Sequence, residues 1–390
     1  MARRDRNRNR ILTARRAALF ISALAALVVV ARLEISAPPD TGTWSPGALQ
    51  GEVVHAMIET PDSIMVGAQN GLHRLTPEDA TELVPDTPGP VYAMSAGRDE
   101  IYAATEDGVY ALPRNGEPPR RDGLPDITVR DVAASDSRLY AATDDGLFER
   151  VDGEWGRAWP RPVNAALAVE GGVVAGSSEG IFRIEDGGAG RVWSGGTVEG
   201  MGREGRNLWA GVRGEPHLLV SRDSGRSWEP SGDGIRLEAV NAFIADPEDA
   251  DELLVGGSGL ADGENLAGVM GSDDGGERWE ADQIRLSNTH VFALAARREP
   301  VRLEVSLPPI VGAHAFDLPL ETTRFYAGTN GSGVYTYRPA SRPLATLASL
   351  QPAMRFVEPV LAGFVVLVLA WSLYFGRGRK RRGDPPVPPG

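Results

Sequence analysis

The chain has no cysteine, a single lysine (Lys380) against 39 arginines, and only 7% aromatic residues. Without cysteine there is no disulfide framework, no thiolate metal site and no thiol nucleophile, so stability rests on packing alone. The five histidines, His55, His73, His217, His290 and His314, show no paired spacing of the kind a metal site uses. No cofactor is expected. Lysine is scarce while the formal net charge is −13. Two readings account for that acidity: adaptation to high salt, where self-repulsion is screened, or an ordinary acidic surface written by an arginine-favouring genome.

What is abundant is repetition. Leu139-Tyr140-Ala141-Ala142-Thr143-Asp144-Asp145-Gly146-Leu147-Phe148 joins two short apolar runs through Asp-Gly, a hairpin signal in which positive φ angles are expected at the turn. Related segments start at Ile64, Ile101, Val173, Leu208, Leu253 and Phe325, so the seven starts are 37, 38, 34, 35, 45 and 72 residues apart. A near-constant step in this range, with strand content throughout, selects a propeller over a helical solenoid. A second signature, Val-x-Ala, precedes several copies, at Val54-His55-Ala56, Val91-Tyr92-Ala93, Val240-Asn241-Ala242 and Val291-Phe292-Ala293, with Val129-Arg130-Asp131 as a variant. Small and branched residues suit an innermost strand, where blades crowd towards the axis.

The expected fold class is therefore all-β, a seven-bladed β-propeller over 44–340, with an insertion at 297–322 in the seventh blade that carries Pro308-Pro309. Blade seven lacks an outer strand after Tyr335-Thr336-Tyr337, whereas Thr43-Trp44-Ser45-Pro46 resembles the outer strand Ser227-Trp228-Glu229-Pro230 with no blade before it. The segment at Trp44 is expected to close the ring and leave no sheet edge at the seam.

The flanks differ in kind from the repeats. Residues 1–16 hold seven arginines, and Ala17 to Ala31 is an apolar run broken only by Ser22. The segment 17–35 is short for a bilayer crossing of about 20 residues, and it fits either a membrane helix or a secretory signal with cleavage near Ser36. A linker 36–43 follows. After a second linker, 341–355, the segment 356–375 is again apolar, and the tail 376–390 carries Arg377, Arg379, Lys380, Arg381 and Arg382. Basic flanks favour the cytoplasm, so both termini are expected there, with the propeller on the outer face of a cell membrane. Residues 33–354 contain 50 acidic residues against 26 arginines. Such a domain is repelled by nucleic-acid phosphates, leaving a protein or a glycan as the expected partner.

Two turns share Ser-x-Asp-x-Gly-x-x-Trp: Ser221, Asp223, Gly225 and Trp228, then Ser272, Asp274, Gly276 and Trp279. This motif resembles the Asp-box, or BNR repeat, of sialidase-like β-propellers. A looser likeness to photosystem II assembly-factor propellers and to sensor-type propeller repeats covers 44–338. The resemblance implies a structural role for these eight residues, with the Asp capping its own turn and the Trp packed between blades. It also raises glycoside hydrolysis as an alternative to binding, although the family's Arg-Ile-Pro segment is absent from the first blade. Glu52, Asp131 and Glu199 are the acidic candidates for the axis in that case. His55 and His290 flank inner strands, and the acidic run Asp246-Pro247-Glu248-Asp249-Ala250-Asp251-Glu252 is expected to be a solvated loop ahead of calcium coordination. The favoured reading is a non-catalytic recognition or assembly scaffold; a ligand-sensing ectodomain is a further alternative.

Overall fold

The computed structural model describes residues 32–34 and 44–338, apart from 78, 115–116, 186–187, 261–267, 281–285, 287–289 and 307–312. Two compact units are distinguished: one comprises 40–299 with 322–339, the other 1–39, 300–321 and 340–390.

The first unit is a ring of seven antiparallel sheets. Blades one to five have four strands each, at 54–83, 91–123, 129–159, 165–193 and 198–230. Blade six shows three strands among the described residues, 237–245, 253–260 and 269–272, plus a single bridge from Gly271 to Glu280. The seven repeat starts all fall in second strands, and all are buried: Ile64, Ile101, Leu139, Val173, Leu208, Leu253 and Phe325. Second strands are covered on both faces by neighbouring blades, which is why the runs are continuously apolar rather than alternating.

Seven hydrophobic clusters fill the seven interfaces between blades, one each. Met65, Leu72, Val91 and Tyr110 join blades one and two. The series continues around the ring to Val54, Val66, Tyr326 and Val334, which join blade seven to blade one. No interface dominates, so the stability of each blade depends on both neighbours.

Blade seven closes as the missing strand requires. Ser45 pairs with Thr336 and Pro46 with Tyr335. Trp44, 5% exposed, packs 5.5 Å from the ring of Tyr337. The order within the sheet places Ser45–Pro46 at the outer edge beside Val334–Tyr337.

The insertion in blade seven takes the form of long strands, Val291–Ser306 and Ala313–Thr329, where other first and second strands have five to nine residues. Its root in the ring is polar and enclosed. Arg324, 4% exposed, meets Asp79 at 2.7 Å, and Glu299 accepts from Tyr326 at 3.0 Å and from Arg338 at 2.7 Å. In the second unit, Arg32–Glu34 pair antiparallel with Glu304–Ser306. These three residues, assigned by sequence to the end of the first apolar segment, are thus strand. The rest of both expected spans, 17–35 and 356–375, lies outside the described residues. Among those described, no helix is long and apolar enough to cross a membrane.

The hairpin turns depart from the sequence expectation in one respect. At Thr143-Asp144-Asp145-Gly146 only the glycine takes positive φ, at 129°, rather than both central residues. The turn is clasped instead by a buried hydroxyl: Thr143 Oγ1 donates to the carbonyl of Gly146 at 2.7 Å and accepts from the amide of Asp145 at 3.2 Å. Thr105, Ser177 and Thr329 donate to Gly108, Gly180 and Gly333 in the same way. A hydroxyl two residues before a turn amide is a short local acceptor that stabilises such turns without strain.

Candidate functional site

The axis of the ring holds a cavity of 660 Å3, and its lining identifies the site. Each blade carries a fully buried valine in or just before its first strand: Val54, Val91, Val129, Val163, Val198, Val240 and Val291 are all 0% exposed. The next residue in each blade lines the cavity. In chain order these are His55, Tyr92, Arg130, Asn164, Glu199, Asn241 and Phe292.

The reason is a register break. In blades one, two, three, five and six the pairing of first and second strands skips this residue, passing from Val54 to Ala56, Val91 to Ala93, Val129 to Asp131, Val198 to Gly200 and Val240 to Ala242. A β-bulge leaves its extra residue unpaired and re-aims the side chain. Here the buried valine anchors the strand between blades while its neighbour is freed to face the channel. The expectation that inner strands tolerate little bulk therefore fails at this position. The bulged residue projects into open space, so Tyr92, Arg130 and Phe292 fit where a paired strand position would crowd them.

Several ring residues are held by the turn that follows their own second strand, fourteen positions on. His55 Nε2 lies 3.2 Å from Gln69 Oε1. Arg130 makes a two-pronged pair with Asp144, at 2.7 and 2.8 Å. Glu199 accepts from Arg213 Nε at 2.7 Å. Asn164 and Asn241 are fixed differently, each donating its side-chain amide to the valine carbonyl of the next ring position, Val198 at 3.1 Å and Val291 at 3.2 Å. The ring of His55 stacks on Phe292 at 5.8 Å and meets Tyr92 edge-on at 5.5 Å.

Of the acidic candidates, Asp131 and Glu199 do line the cavity, whereas Glu52 does not. Glu52 sits at the seam instead, its carbonyl accepting from the amide of Gly333. Asp131 ties two blades: its carboxylate accepts from the amides of Val132 and Ala166, both at 2.8 Å. Burial pushes its pKa up to about 6 against the pull of those two amides. Glu204, at the far end of the fifth inner strand, is likewise raised by burial, to about 7, and accepts from the amide of Ala245 in blade six.

His290 is exposed and lies outside the cavity lining, and its carbonyl accepts from Asn330. His73 is buried on a third strand, where its Nε2 lies 2.7 Å from Asn70 Oδ1, and burial lowers its pKa. His217 occupies a positive-φ turn at 62°. His314 falls in the insertion, in a stretch whose side chains lie outside the described residues. Among the described residues no group of three His, Asp or Glu is placed to hold a metal ion. In the acidic run, Asp246 is spent on the Thr323 hydroxyl at 2.7 Å and the Glu248 amide at 2.8 Å.

The two Ser-x-Asp-x-Gly-x-x-Trp turns join third to fourth strand positions in blades five and six, away from the cavity lining. Ser221 Oγ accepts from the amide of Gly225, and Asp223 Oδ1 accepts from the amides of Arg226 and Ser227 at 3.0 and 2.9 Å. Desolvation would raise the Asp223 pKa, but bonds from Ser227, Ser221 and Arg226 hold it down to about 2. Ser272 and Asp274 repeat the pattern with Gly276, Glu277 and Arg278. Trp228 joins the core between blades four and five, and Trp279 that between five and six.

The Val-x-Ala signature read from sequence reached five of the seven ring positions. Val163-Asn164-Ala165 matches it and completes blade four, and Val198-Glu199-Gly200 needs only Gly in place of Ala.

No protein-family model matches the chain, and no curated protein matches it in sequence. Solved structures do resemble it. The extracellular domain of a putative hybrid two-component system from B. thetaiotaomicron superposes with a TM-score of 0.54 at 13% identity, over 77% of this chain and 40% of that one. The chain thus spans about two fifths of that neighbour's length. The WD40 β-propeller domain of Doa1 gives 0.56 at 11% identity, covering 77% of this chain and 98% of that one. YCF48 from Cyanidioschyzon merolae gives 0.47 at 12% identity over 77% and 100%. At these identities the likeness is one of fold, and the fold it shares is the seven-bladed β-propeller.

Proposed function

We propose that the chain is a membrane-anchored recognition module whose propeller stands outside the cytoplasm and whose ligand seat is the seven-residue ring at the channel. One observation carries this reading: a repeated scaffold presents a non-repeated surface. The valine is the same in every blade and fully buried, while the neighbouring residue is His, Tyr, Arg, Asn, Glu, Asn or Phe. A ring that served only to pack would repeat its residue along with its valine.

Glycoside hydrolysis is the weaker reading. It needs one carboxyl acid and one carboxylate facing the scissile bond. Asp131 is engaged by two amides and Glu199 by Arg213. The Asp-box likeness of the two Trp-bearing turns is taken as structural, since their polar groups are consumed within the turn. The external location follows from the basic flanks at 1–16 and 376–390, and the resemblance to an extracellular sensor domain is in keeping with it.

The test uses the full chain in intact cells. External protease should digest the propeller and spare a tag placed after Gly390. Species cross-linked to the wild-type protein should be lost from Tyr92→Ala and Phe292→Ala while persisting in the rim variant Leu83→Ala. Identical cross-linked species in ring and rim variants would show that the ring is not the seat.

A further inference from the structure

Accepting the ring as the ligand seat, we infer that its ligand presents a guanidinium or primary ammonium group to the channel mouth. The ring has two unlike arcs. Phe292, His55 and Tyr92, on blades seven, one and two, form a continuous aromatic arc with contacts of 5.8 and 5.5 Å. Asn164, Glu199 and Asn241, on blades four, five and six, form an arc of oxygen acceptors.

The acceptor character follows from where the donors go. Both asparagine side chains give their NH2 to a backbone carbonyl, Val198 and Val291, which fixes the amide orientation and leaves each Oδ1 facing no protein donor among the described residues. Glu199 uses Oε1 on Arg213, and no protein donor among the described residues bonds to its Oε2. Three successive blades therefore each offer an acceptor. The ring's cation and its carboxylate are each paired, Arg130 with Asp144 and Glu199 with Arg213, and the pairing leaves Glu199 Oε2 as the open charged acceptor.

An anion would meet three acceptors and no free positive charge. A neutral polyol could use the second hydrogen of each asparagine amide and the Tyr92 hydroxyl, but it would forgo a charged bond to Glu199. A cation with N–H groups satisfies both arcs at once. Its hydrogens meet Asn164, Glu199 and Asn241, with the charged bond to Glu199 the strongest of the three. Its flat face or methylene stem lies against Phe292 and Tyr92, where the ring quadrupole attracts positive charge. The excess of 50 acidic residues over 26 arginines in 33–354 draws such a group in from a distance.

The same chemistry has two sources, an arginine or lysine side chain on a partner's loop, or a small free amine or guanidine. Titration calorimetry on the purified full chain, with N-acetyl-arginine methylamide, its lysine and neutral citrulline counterparts, and a cyclic peptide carrying one arginine, separates them. The arginine or lysine probe should bind at least about tenfold tighter than citrulline, and Glu199→Gln should remove that preference. A cyclic peptide about a hundredfold tighter than the free derivative assigns the seat to a protein loop, and equal affinities assign it to a small solute. Citrulline binding as tightly as arginine would overturn the inference while leaving the ring as a seat. No saturable binding of any cationic probe at about 10 mM, with ring variants still losing their cellular partner, would overturn the cation alone. Retention of that partner by the ring variants would overturn the seat itself.

Discussion

Ser45 pairs with Thr336, so the strand at one end of the ring completes the blade at the other. Residues from both ends of the repeat array thus share one sheet, and Ser45–Pro46 supply the outer strand of blade seven. Deleting 40–50 removes that strand and the Trp44 indole, whose burial against Tyr337 and Phe325 is worth roughly 3–5 kcal/mol by analogy with large-to-small core changes. The prediction is a melting transition lowered by several degrees yet still single, since every blade leans on its neighbours. Calorimetry that shows an unchanged melting temperature would mean that the strand is dispensable.

The two box tryptophans separate packing from hydrogen bonding. Trp279 Nε1 reaches Ser231 Oγ at 3.3 Å and its ring stands at 90° to Trp209, whereas Trp228 Nε1 has no partner among the described residues. Replacing either with Ala should cost roughly 3–5 kcal/mol. Trp279→Phe should cost about 1 kcal/mol more than Trp228→Phe, because only the former gives up a bond. Equal losses in denaturant melts of the two Phe variants would contradict this.

Asp131 predicts an unusual acid response. Its folded pKa of about 6 lies above the unfolded value near 3.9, so the folded state holds the extra proton between those limits. Its contribution to stability is present below about pH 4 and declines as pH rises towards 6, by on the order of 3 kcal/mol, then stays level. Glu204 acts with the same sign up to about 7. Asp223, held at about 2, acts oppositely, its contribution being present above about pH 4 and lost as pH falls through 2. Melting temperatures across pH 4–7 should therefore fall less steeply in Asp131→Asn than in the wild type, and parallel curves would refute the assignment.

The Arg130–Asp144 pair should matter little to stability. Both side chains are about half exposed or more, at 49% and 65%, and exposed pairs contribute roughly 0–1 kcal/mol. A double-mutant cycle with Arg130→Met and Asp144→Asn is expected to give a coupling below about 1 kcal/mol. Ring variants of this kind then report on binding rather than folding; a coupling well above that would show a structural duty instead.

Much of the fold was legible in sequence, since the repeat is local. Short apolar runs broken by Thr-Asp-Asp-Gly or its variants specify a hairpin wherever they occur, and seven of them specify seven blades. The closing strand was legible too, because an outer strand is recognised by its partner's absence. The insertion at 297–322 showed as extra length, while its form as extended strand did not, because it lacks the Thr-Asp-Asp-Gly type of turn by which the other hairpins are recognised.

The ring was not legible as a site, although most of its residues stood in the Val-x-Ala signature. What the sequence alone determined was a buried valine followed by a residue of any kind, seven times over. That residue carries no periodic signal because its side chain faces the channel and not the core between blades. Only tertiary structure decided that the seven converge, through bulges that exist solely in the register between two strands and through closure of the ring around a common axis. The same closure ties one amide hydrogen of Asn164 and of Asn241 to the next blade's carbonyl, and so sets how their side chains face the channel mouth.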